Sequence, residues 1–227
     1  MRIVDPGVGS GRFLAAAGRH FPKSELVGIE VDPLAAMMAR AHLAAAGFAK
    51  RSEVRLQDYR SATLAPVQGK TLFIGNPPYV RHHLVGASWK QRLSNTAAEL
   101  GHDASQLAGL HVHFFLATVL KAAAGDFGCF ITAAEWLDVN YGKLVRDLFL
   151  GELGGQGITV IEPTAQPFDD AATTAAIAVF EFGSRPTSIL SAASIPSRRF
   201  YRWIQDASFI GAGWSRTPGG RTSRAVQ

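Results

Sequence analysis

The chain has 227 residues, of which 47% are apolar, and a formal net charge of +5 at neutral pH. This length and apolar content are sufficient for one substantial α/β core. The single cysteine, Cys129, excludes a disulfide-stabilised secreted scaffold, and no apolar run is long enough for a transmembrane helix or a signal peptide. We therefore expect a cytoplasmic protein without a membrane segment.

Apolar runs that predict strands alternate along the chain with amphipathic stretches that predict helices. Strands are expected near residues 1–5, 25–30, 52–57, 70–75, 127–133, 157–162 and 174–182, and helices near residues 11–19, 33–46, 105–123 and 140–150. Such alternation predicts a mostly parallel sheet with helices on both faces. No helix separates the last two strands, which predicts a terminal antiparallel pair.

The first strand leads into a glycine-rich turn, residues 5–11, that reads Asp-Pro-Gly-Val-Gly-Ser-Gly. Glycines at alternate positions let the backbone turn sharply and approach a ligand closely. Arg12 stands where a dinucleotide fingerprint requires its third glycine, so the spacing argues against NAD.

The second and third strands each end in an acidic residue. Glu30 ends the second strand, where a carboxylate can accept hydrogen bonds from both hydroxyls of a ribose; the alternative is a solvated carboxylate. Asp32, directly before Pro33, is expected to cap the next helix. Asp58 follows the third strand and is either an acceptor for the amine of a bound adenosyl group or an ordinary loop acid.

The fourth strand is followed by residues 76–79, Asn-Pro-Pro-Tyr. The Asn76 side-chain carbonyl and the Pro77 carbonyl are two acceptors for one amino group, and Tyr79 offers an aromatic face for a planar ring. Two successive prolines stiffen the turn and so hold both acceptors in position. Alternatively, the tetrapeptide is an ordinary exit from a strand.

Residues 80–104 are expected to form a long loop, and loops of that length are usually functional. Its basic and aromatic side chains indicate contact with DNA phosphates; the alternative is a solvated, mobile loop. The basic and aromatic residues in question are Arg81, His82, His83, Trp89, Lys90 and Arg92. We expect no metal, because the pairs His82-His83 and His111-x-His113 have no second group of ligands.

Three motifs, in this order, resemble those of DNA adenine-N6 methyltransferases of the γ type, in which the cofactor motif precedes the catalytic motif. They occupy residues 5–14, residues 28–33 (Gly-Ile-Glu-Val-Asp-Pro) and residues 76–81 (Asn-Pro-Pro-Tyr-Val-Arg). The likeness is greatest to restriction–modification enzymes and continues through residues 136–143 and 168–171. It covers roughly residues 1–183.

The resemblance implies a Rossmann-like, class I fold that uses S-adenosylmethionine (SAM), with a seven-stranded sheet in the order 3-2-1-4-5-7-6. It implies that Glu30 binds the SAM ribose and Asp58 the SAM adenine amine. The methionine part of SAM would lie on the turn that contains Asp5, Gly7, Gly9 and Gly11.

The resemblance also implies the reaction and its substrate. An adenine would be flipped out of double-stranded DNA, because its amine is otherwise paired and stacked. The amine would donate to Asn76 and to Pro77, which Pro78 stiffens, and the base would stack between Tyr79 and Phe168. The methyl group would pass directly from sulfur to nitrogen, so Cys129 is expected in the core rather than as a nucleophile.

The last part of the chain, residues 184–227, contains seven arginines and one acidic residue, Asp206. We interpret residues 1–183 as a catalytic core and residues 184–227 as the start of a DNA-recognition region; a nucleic-acid arm is the alternative. The family has an upstream element that completes the cofactor pocket and a target-recognition domain, which we expect elsewhere in the same or a partner chain. We therefore expect weak SAM binding and little specific methylation from these residues alone.

Other functions remain open from the sequence. A protein glutamine-N5 methyltransferase would use the same acceptors for a carboxamide, although Phe168 favours a planar base. RNA adenine methylation uses nearly the same chemistry. A subunit that keeps the fold and has lost turnover is the non-enzymatic alternative.

Overall fold

The structure, a computed structural model, describes residues 1–161, 174–184 and 190–193. Within them lies one mixed sheet of eight strands in the order β3-β2-β1-β4-β5-β7-β6-β8. The strands are β1 (Arg2–Asp5), β2 (Glu25–Glu30), β3 (Ser52–Leu56), β4 (Thr71–Gly75), β5 (Phe127–Ala133), β6 (Gly155–Ile161), β7 (Ala175–Glu181) and β8 (Leu190–Ala193).

The predicted mostly parallel sheet and its strand order are confirmed, and β8 is an addition to the predicted seven strands. Strands β1 to β5 run parallel to one another, β7 pairs antiparallel with both β5 and β6, and β8 pairs parallel with β6. The division of the chain at residue 183 into a catalytic core and a DNA-recognition region stays a prediction. Phe168 lies outside the described residues, and so do most of residues 184–227.

Within the described ranges, five α-helices connect the strands. They are α1 (Arg12–His20), α2 (Pro33–Ala45), α3 (Ala87–Glu99), α4 (Leu110–Val119) and α5 (Lys143–Leu150). The cap of α2 is confirmed, because Asp32 Oδ1 accepts from the backbone N–H groups of Leu34 at 2.7 Å and Ala35 at 3.1 Å. The sequence prediction placed the start of α4 five residues too early, and residues 140–142 form a 3-10 turn before α5.

The prediction of a long loop over residues 80–104 is wrong. Helix α3 occupies the middle of this segment, and its inward face carries Leu93 and Ala97, both almost fully buried. Their spacing of four residues is the helical repeat, and Trp89 continues it by one turn. The loop interpretation gave the basic residues more weight than this apolar repeat.

The sheet divides the apolar core into two layers, because successive side chains of a strand point to opposite faces. On one face Ile3 and Leu26 pack beneath α1 and α2. On the other face Val4 and Val27 belong to a larger cluster that includes α4, α5 and several aromatic rings. The rings at the centre of that cluster are Phe115, Phe130, Trp136, Phe149 and Phe180.

Cys129 lies in β5 and packs at the edge of a third small apolar cluster, as expected for a core cysteine. Burial raises the pKa of its thiol to about 12. Among the described residues no helix is both long enough and apolar enough to cross a membrane.

Candidate active site

The carboxyl ends of the parallel strands lie along one edge of the sheet, and the predicted site residues follow these ends. Asp5 pairs in register with Gly28, Glu30 with Leu56, and Gly75 with Phe130. In open α/β sheets, ligands bind outside the carboxyl ends of the strands. The fold therefore brings the glycine-rich turn, Glu30, Asp58 and Asn76 to one edge.

The three glycines of the turn differ in their surroundings. Gly9 and Gly11 have φ angles of 51° and 81°, in the left-handed region that favours glycine. A Cβ atom at Gly9 would have no described atom within 4 Å, so the backbone there is open to a ligand. A Cβ at Gly11 would lie 3.2 Å from Ala39, so Gly11 allows α1 and α2 to pack closely.

Glu30 ties the turn to the end of β2. Its Oε2 accepts from the Gly9 backbone N–H at 2.9 Å, and its Oε1 accepts from the N–H groups of Val31 at 2.8 Å and Asp32 at 3.0 Å. A carboxylate has about four acceptor positions, so Glu30 keeps capacity for a hydroxyl group. Its predicted role at the ribose stays a prediction.

Asp58 follows β3 and forms an ion pair with Arg60. Its Oδ2 accepts from Arg60 Nη2 at 2.6 Å, and its Oδ1 accepts from the Arg60 backbone N–H at 2.9 Å. Burial alone would raise the pKa of Asp58, but the hydrogen bonds from Arg60 lower it overall. The Arg60 guanidinium in turn stacks on the Trp89 ring, 3.8 Å from its centroid. An adenosyl amine would therefore have to share Asp58 with Arg60.

Asp5 lies between the glycine-rich turn and the end of β4. Its side chain is almost fully buried, and burial raises the pKa of its carboxyl group to about 7. A Cβ atom at Gly75 would lie 2.5 Å from Asp5 Oδ1 and 3.4 Å from Pro6, so β4 can approach β1 here only because residue 75 is glycine. A Cβ atom at Gly7, by contrast, would be in ordinary van der Waals contact with Pro78, at 3.6 Å.

Asn76 begins the segment that follows β4. Its Oδ1 is buried and has no hydrogen-bond partner among the described residues. Pro77 is buried, and Tyr79 is 45% exposed. Asn76 and Tyr79 line a cavity of about 680 Å³, within the usual range for small-molecule sites.

Three further side chains line this cavity whose place here the sequence did not predict. His111, the second residue of α4, is 7% exposed, and burial lowers its pKa to about 4. Glu135 and Tyr141 lie on the wall near β5, and the Tyr141 hydroxyl donates to Glu135 Oε2 at 2.6 Å. In the sequence, His111 stands out as a polar residue inside an apolar helix, and the only role considered for it above is that of a metal ligand.

Of the basic and aromatic residues in segment 80–104 that were predicted to contact DNA, Arg81 and His82 line the cavity. Trp89 instead contacts Arg60 and Arg92, whose guanidinium carbons lie 3.8 Å and 5.4 Å from its ring centroid. The DNA contact stays a prediction.

This sheet order, with the site at the carboxyl edge, is the fold of the class I SAM-dependent methyltransferases. A solved structure with this fold is the methyltransferase subunit of a type I restriction-modification system from Streptococcus thermophilus. The two chains superimpose with a TM-score of 0.69 over 85% of this chain and 42% of the other, at 14% sequence identity.

Within that class, residues 68–154 match the Eco57I restriction-modification methylase family. The chain is 56% identical over 190 residues to the Type II methyltransferase M.XamI of Xanthomonas campestris pv. amaranthicola. The aligned region makes up 83% of this chain and 36% of the relative. The predicted resemblance to restriction–modification methyltransferases is confirmed. The chain spans about a third of the length of this relative.

A second relative shares a shorter region. It is the tRNA1(Val) (adenine(37)-N6)-methyltransferase of Porphyromonas gingivalis, 33% identical over 84 residues that make up 36% of this chain and 33% of the relative.

Proposed function

We propose that the protein transfers the methyl group of SAM to the N6 amine of an adenine flipped out of DNA, within a restriction–modification system. One observation carries the proposal: Asn76, whose buried Oδ1 has no described hydrogen-bond partner, lines a cavity of about 680 Å³ together with Tyr79. A buried polar atom left unsatisfied costs about 1–3 kcal/mol, and the amine of a bound base would supply the missing donor.

The residues at the turn fit SAM. The Gly9 backbone is open on its outer side, and the Glu30 carboxylate beside it keeps acceptor capacity for ribose hydroxyls. SAM supplies an electrophilic methyl group on a sulfonium. The chain's part is to hold that methyl group in line with the target nitrogen and to exclude water.

The side chains on the target side would orient the amine. Asn76 Oδ1 and the Pro77 carbonyl accept its two N–H groups, which favours the tetrahedral nitrogen whose lone pair attacks the methyl carbon. When held at the turn by Gly9 and Glu30, SAM would supply the methyl group and leave as its demethylated thioether, and the methylated nitrogen would release one proton to solvent. Tyr79 stacks on one face of the base, and Phe168, outside the described residues, is proposed for the other.

Similarity to the Type II methyltransferase M.XamI supports DNA as the substrate. We infer that sequence reading needs a target-recognition region from the same or a partner chain, because the match covers 36% of that relative. We also propose the cytoplasm as the location, where DNA and SAM are both available.

The test has two parts on the full-length protein. First, calorimetry measures SAM binding by the wild type, Glu30→Ala and Asn76→Ala; we expect loss of binding only in Glu30→Ala. Second, DNA without adenine methylation is incubated with protein and SAM, and its nucleosides are analysed by mass spectrometry for N6-methyladenine. SAM binding without any N6-methyladenine in DNA would contradict the proposal.

RNA adenine is a second candidate substrate, because part of this chain is similar to the tRNA methyltransferase of P. gingivalis. Unmodified tRNA in the same assay separates the two: methylated adenine in tRNA alone would replace DNA with RNA in the proposal.

A further inference from the structure

Two residues that line the same cavity each carry a buried side-chain atom without a described hydrogen-bond partner. In the described part of the chain four such atoms occur, on Arg2, Asn76, His111 and His113, and those of Asn76 and His111 belong to residues that line the 680 Å³ cavity. Asn76 is already assigned to the target amine in the proposed function. His111 Nε2 has no assigned role.

The imidazole of His111 is held at the wall by the start of α4. The Leu110 backbone N–H donates to the Val80 carbonyl at 2.9 Å, which fastens α4 to the segment just after Tyr79. A Cβ atom at Gly109 would lie 3.1 Å from His111 Cε1, so the absence of a side chain there leaves room for the ring. The geometry therefore fixes His111 relative to the Asn-Pro-Pro-Tyr segment.

The chemistry of the ring follows from its burial. Burial lowers the pKa of His111 to about 4, although the nearby Glu135 carboxylate opposes this, so the ring is neutral at pH 7. A neutral imidazole has one N–H donor and one acceptor. With its proton on Nε2, His111 has an unpaired donor, and Asn76, which lines the same cavity, has an unpaired acceptor.

An acceptor beside a donor matches one edge of adenine. The N6 amine donates, and the ring nitrogens N1 and N7 on either side of it accept. Guanine presents a carbonyl oxygen where adenine has its amine, and therefore mismatches Asn76. Cytosine shares the pattern of amine and ring acceptor, so the pair selects amino bases rather than adenine alone.

We propose that His111 donates its Nε2–H to a ring nitrogen beside the amine of the target base, and so orients the base and contributes to its selection. This inference rests on the proposed function and names a contact to the same substrate.

The test replaces single atoms of the target base. Duplexes carry adenine, 1-deazaadenine or 7-deazaadenine at the methylated position, and kcat/KM is measured for the wild type, His111→Phe and His113→Phe. We expect the wild type to lose about tenfold on one of the two analogues, the effect of one ordinary hydrogen bond. His111→Phe should lose about tenfold on adenine and show no further loss on that analogue.

His113→Phe is the matched control. His113 is also a buried histidine of α4 whose pKa burial lowers to about 4, but it lines a separate cavity with Arg60 and Trp89. This variant should keep the discrimination of the wild type between adenine and the sensitive analogue. Changes in amine reactivity caused by each analogue cancel, because they are common to all three proteins.

Three outcomes overturn the inference, and they differ in what they say of the function. If the wild type methylates all three bases equally, or if His111→Phe keeps the same penalty on each analogue, His111 makes no such contact and adenine methylation still stands. The comparison of the three bases with the wild-type protein needs no variant, so it does not depend on the folding of His111→Phe. If the wild type methylates no base in DNA, the proposed function fails and the inference fails with it.

Discussion

The two sides of the candidate site differ in how far the chain satisfies its own polar groups. On the cofactor side, the carboxylates of Glu30 and Asp58 accept hydrogen bonds from Gly9 and Arg60 respectively. On the target side, Asn76 Oδ1 and His111 Nε2 are buried and have no partner within the described part of the molecule. The cofactor side is thus held in shape by the chain, whereas the target side keeps two hydrogen-bonding groups without a described partner.

This difference has a physical consequence. Groups that are hydrogen-bonded within the chain stabilise the folded state and also shape the binding site. Their removal therefore lowers both the stability of the fold and the affinity for the ligand. Unsatisfied groups oppose folding and contribute only when the ligand is present. Substitutions on the two sides should therefore separate binding, turnover and stability in different ways.

The largest effect is expected from Asn76→Ala. Loss of the acceptor for the target amine should lower kcat by about 100-fold or more, as removal of one preorganised transition-state contact does elsewhere. SAM affinity should stay within a factor of about two, since a group on the target side is removed. Single-turnover methylation and calorimetry on the same preparation measure both, and a parallel loss of SAM binding would contradict the separation of the two sides.

A smaller effect is expected from Glu30→Ala on SAM binding. The substitution removes the ribose acceptor and frees the Gly9 N–H from its 2.9 Å hydrogen bond, so we expect a loss of about 10–100-fold in affinity. Glu30→Gln, which keeps one acceptor oxygen, serves as the control. Its affinity for SAM should lie between those of the wild type and Glu30→Ala. Unchanged affinity in Glu30→Ala would remove Glu30 from the cofactor site.

The contact between the two sides can be tested through Gly75. In Gly75→Ala the new Cβ would lie 2.5 Å from Asp5 Oδ1, and we expect a loss of about 1–3 kcal/mol in the free energy of unfolding. The control is Gly86→Ala, because a Cβ at Gly86 would have no described atom within 4 Å and the φ of Gly86 is −59°. Urea unfolding of both variants measures the difference; equal stability would mean that β1 and β4 yield at no cost.

The smallest effect is a pH dependence of stability from His113. Burial lowers the pKa of His113 to about 4, with help from Arg60 and against Asp58, whereas in the unfolded chain it is near 6.5. The unfolded state therefore binds more protons between these values, and the contribution of His113 to stability falls as pH drops through this window. It is constant above pH 6.5.

Between pH 7 and pH 5.5 we expect the wild type to lose about 1 kcal/mol relative to His113→Phe, measured by urea unfolding at both pH values. Asp5 acts in the opposite direction, because its pKa is raised to about 7 and the folded state binds the extra proton. Asp5 is present in both proteins, so its effect cancels in the difference. A difference that does not change with pH would show that His113 titrates normally.

Much of the framework was predictable from local sequence. The strand ends at Asp5, Glu30 and Asn76 follow from apolar runs that stop at polar residues, and the cap at Asp32 follows from the proline after it. These features depend on neighbours within a few residues. The strand order, taken from the resemblance to a methyltransferase family, also proved correct for the seven predicted strands.

The errors come from interactions between distant residues. Helix α3 was missed because its apolar repeat is short, and it is stabilised by packing against α4 and by the stacking of Arg60 on Trp89. The ion pair of Asp58 with Arg60 is local, but the stacking of Arg60 on Trp89 joins residues that are far apart in the sequence. Strand β8 extends the edge of the sheet at β6, and edge pairing depends on which backbone groups the rest of the sheet leaves open.

The sequence by itself therefore determined the class of fold, the edge of the sheet that carries the site, and the amino acids of the Asn-Pro-Pro-Tyr segment. The tertiary structure alone decided that His111, Glu135 and Tyr141 share a cavity with Asn76, and that Asn76 Oδ1 and His111 Nε2 are buried there without a described partner. The physical reason is that burial and hydrogen-bond satisfaction depend on every element packed around a group. Chemical type and spacing along the chain do not contain that information.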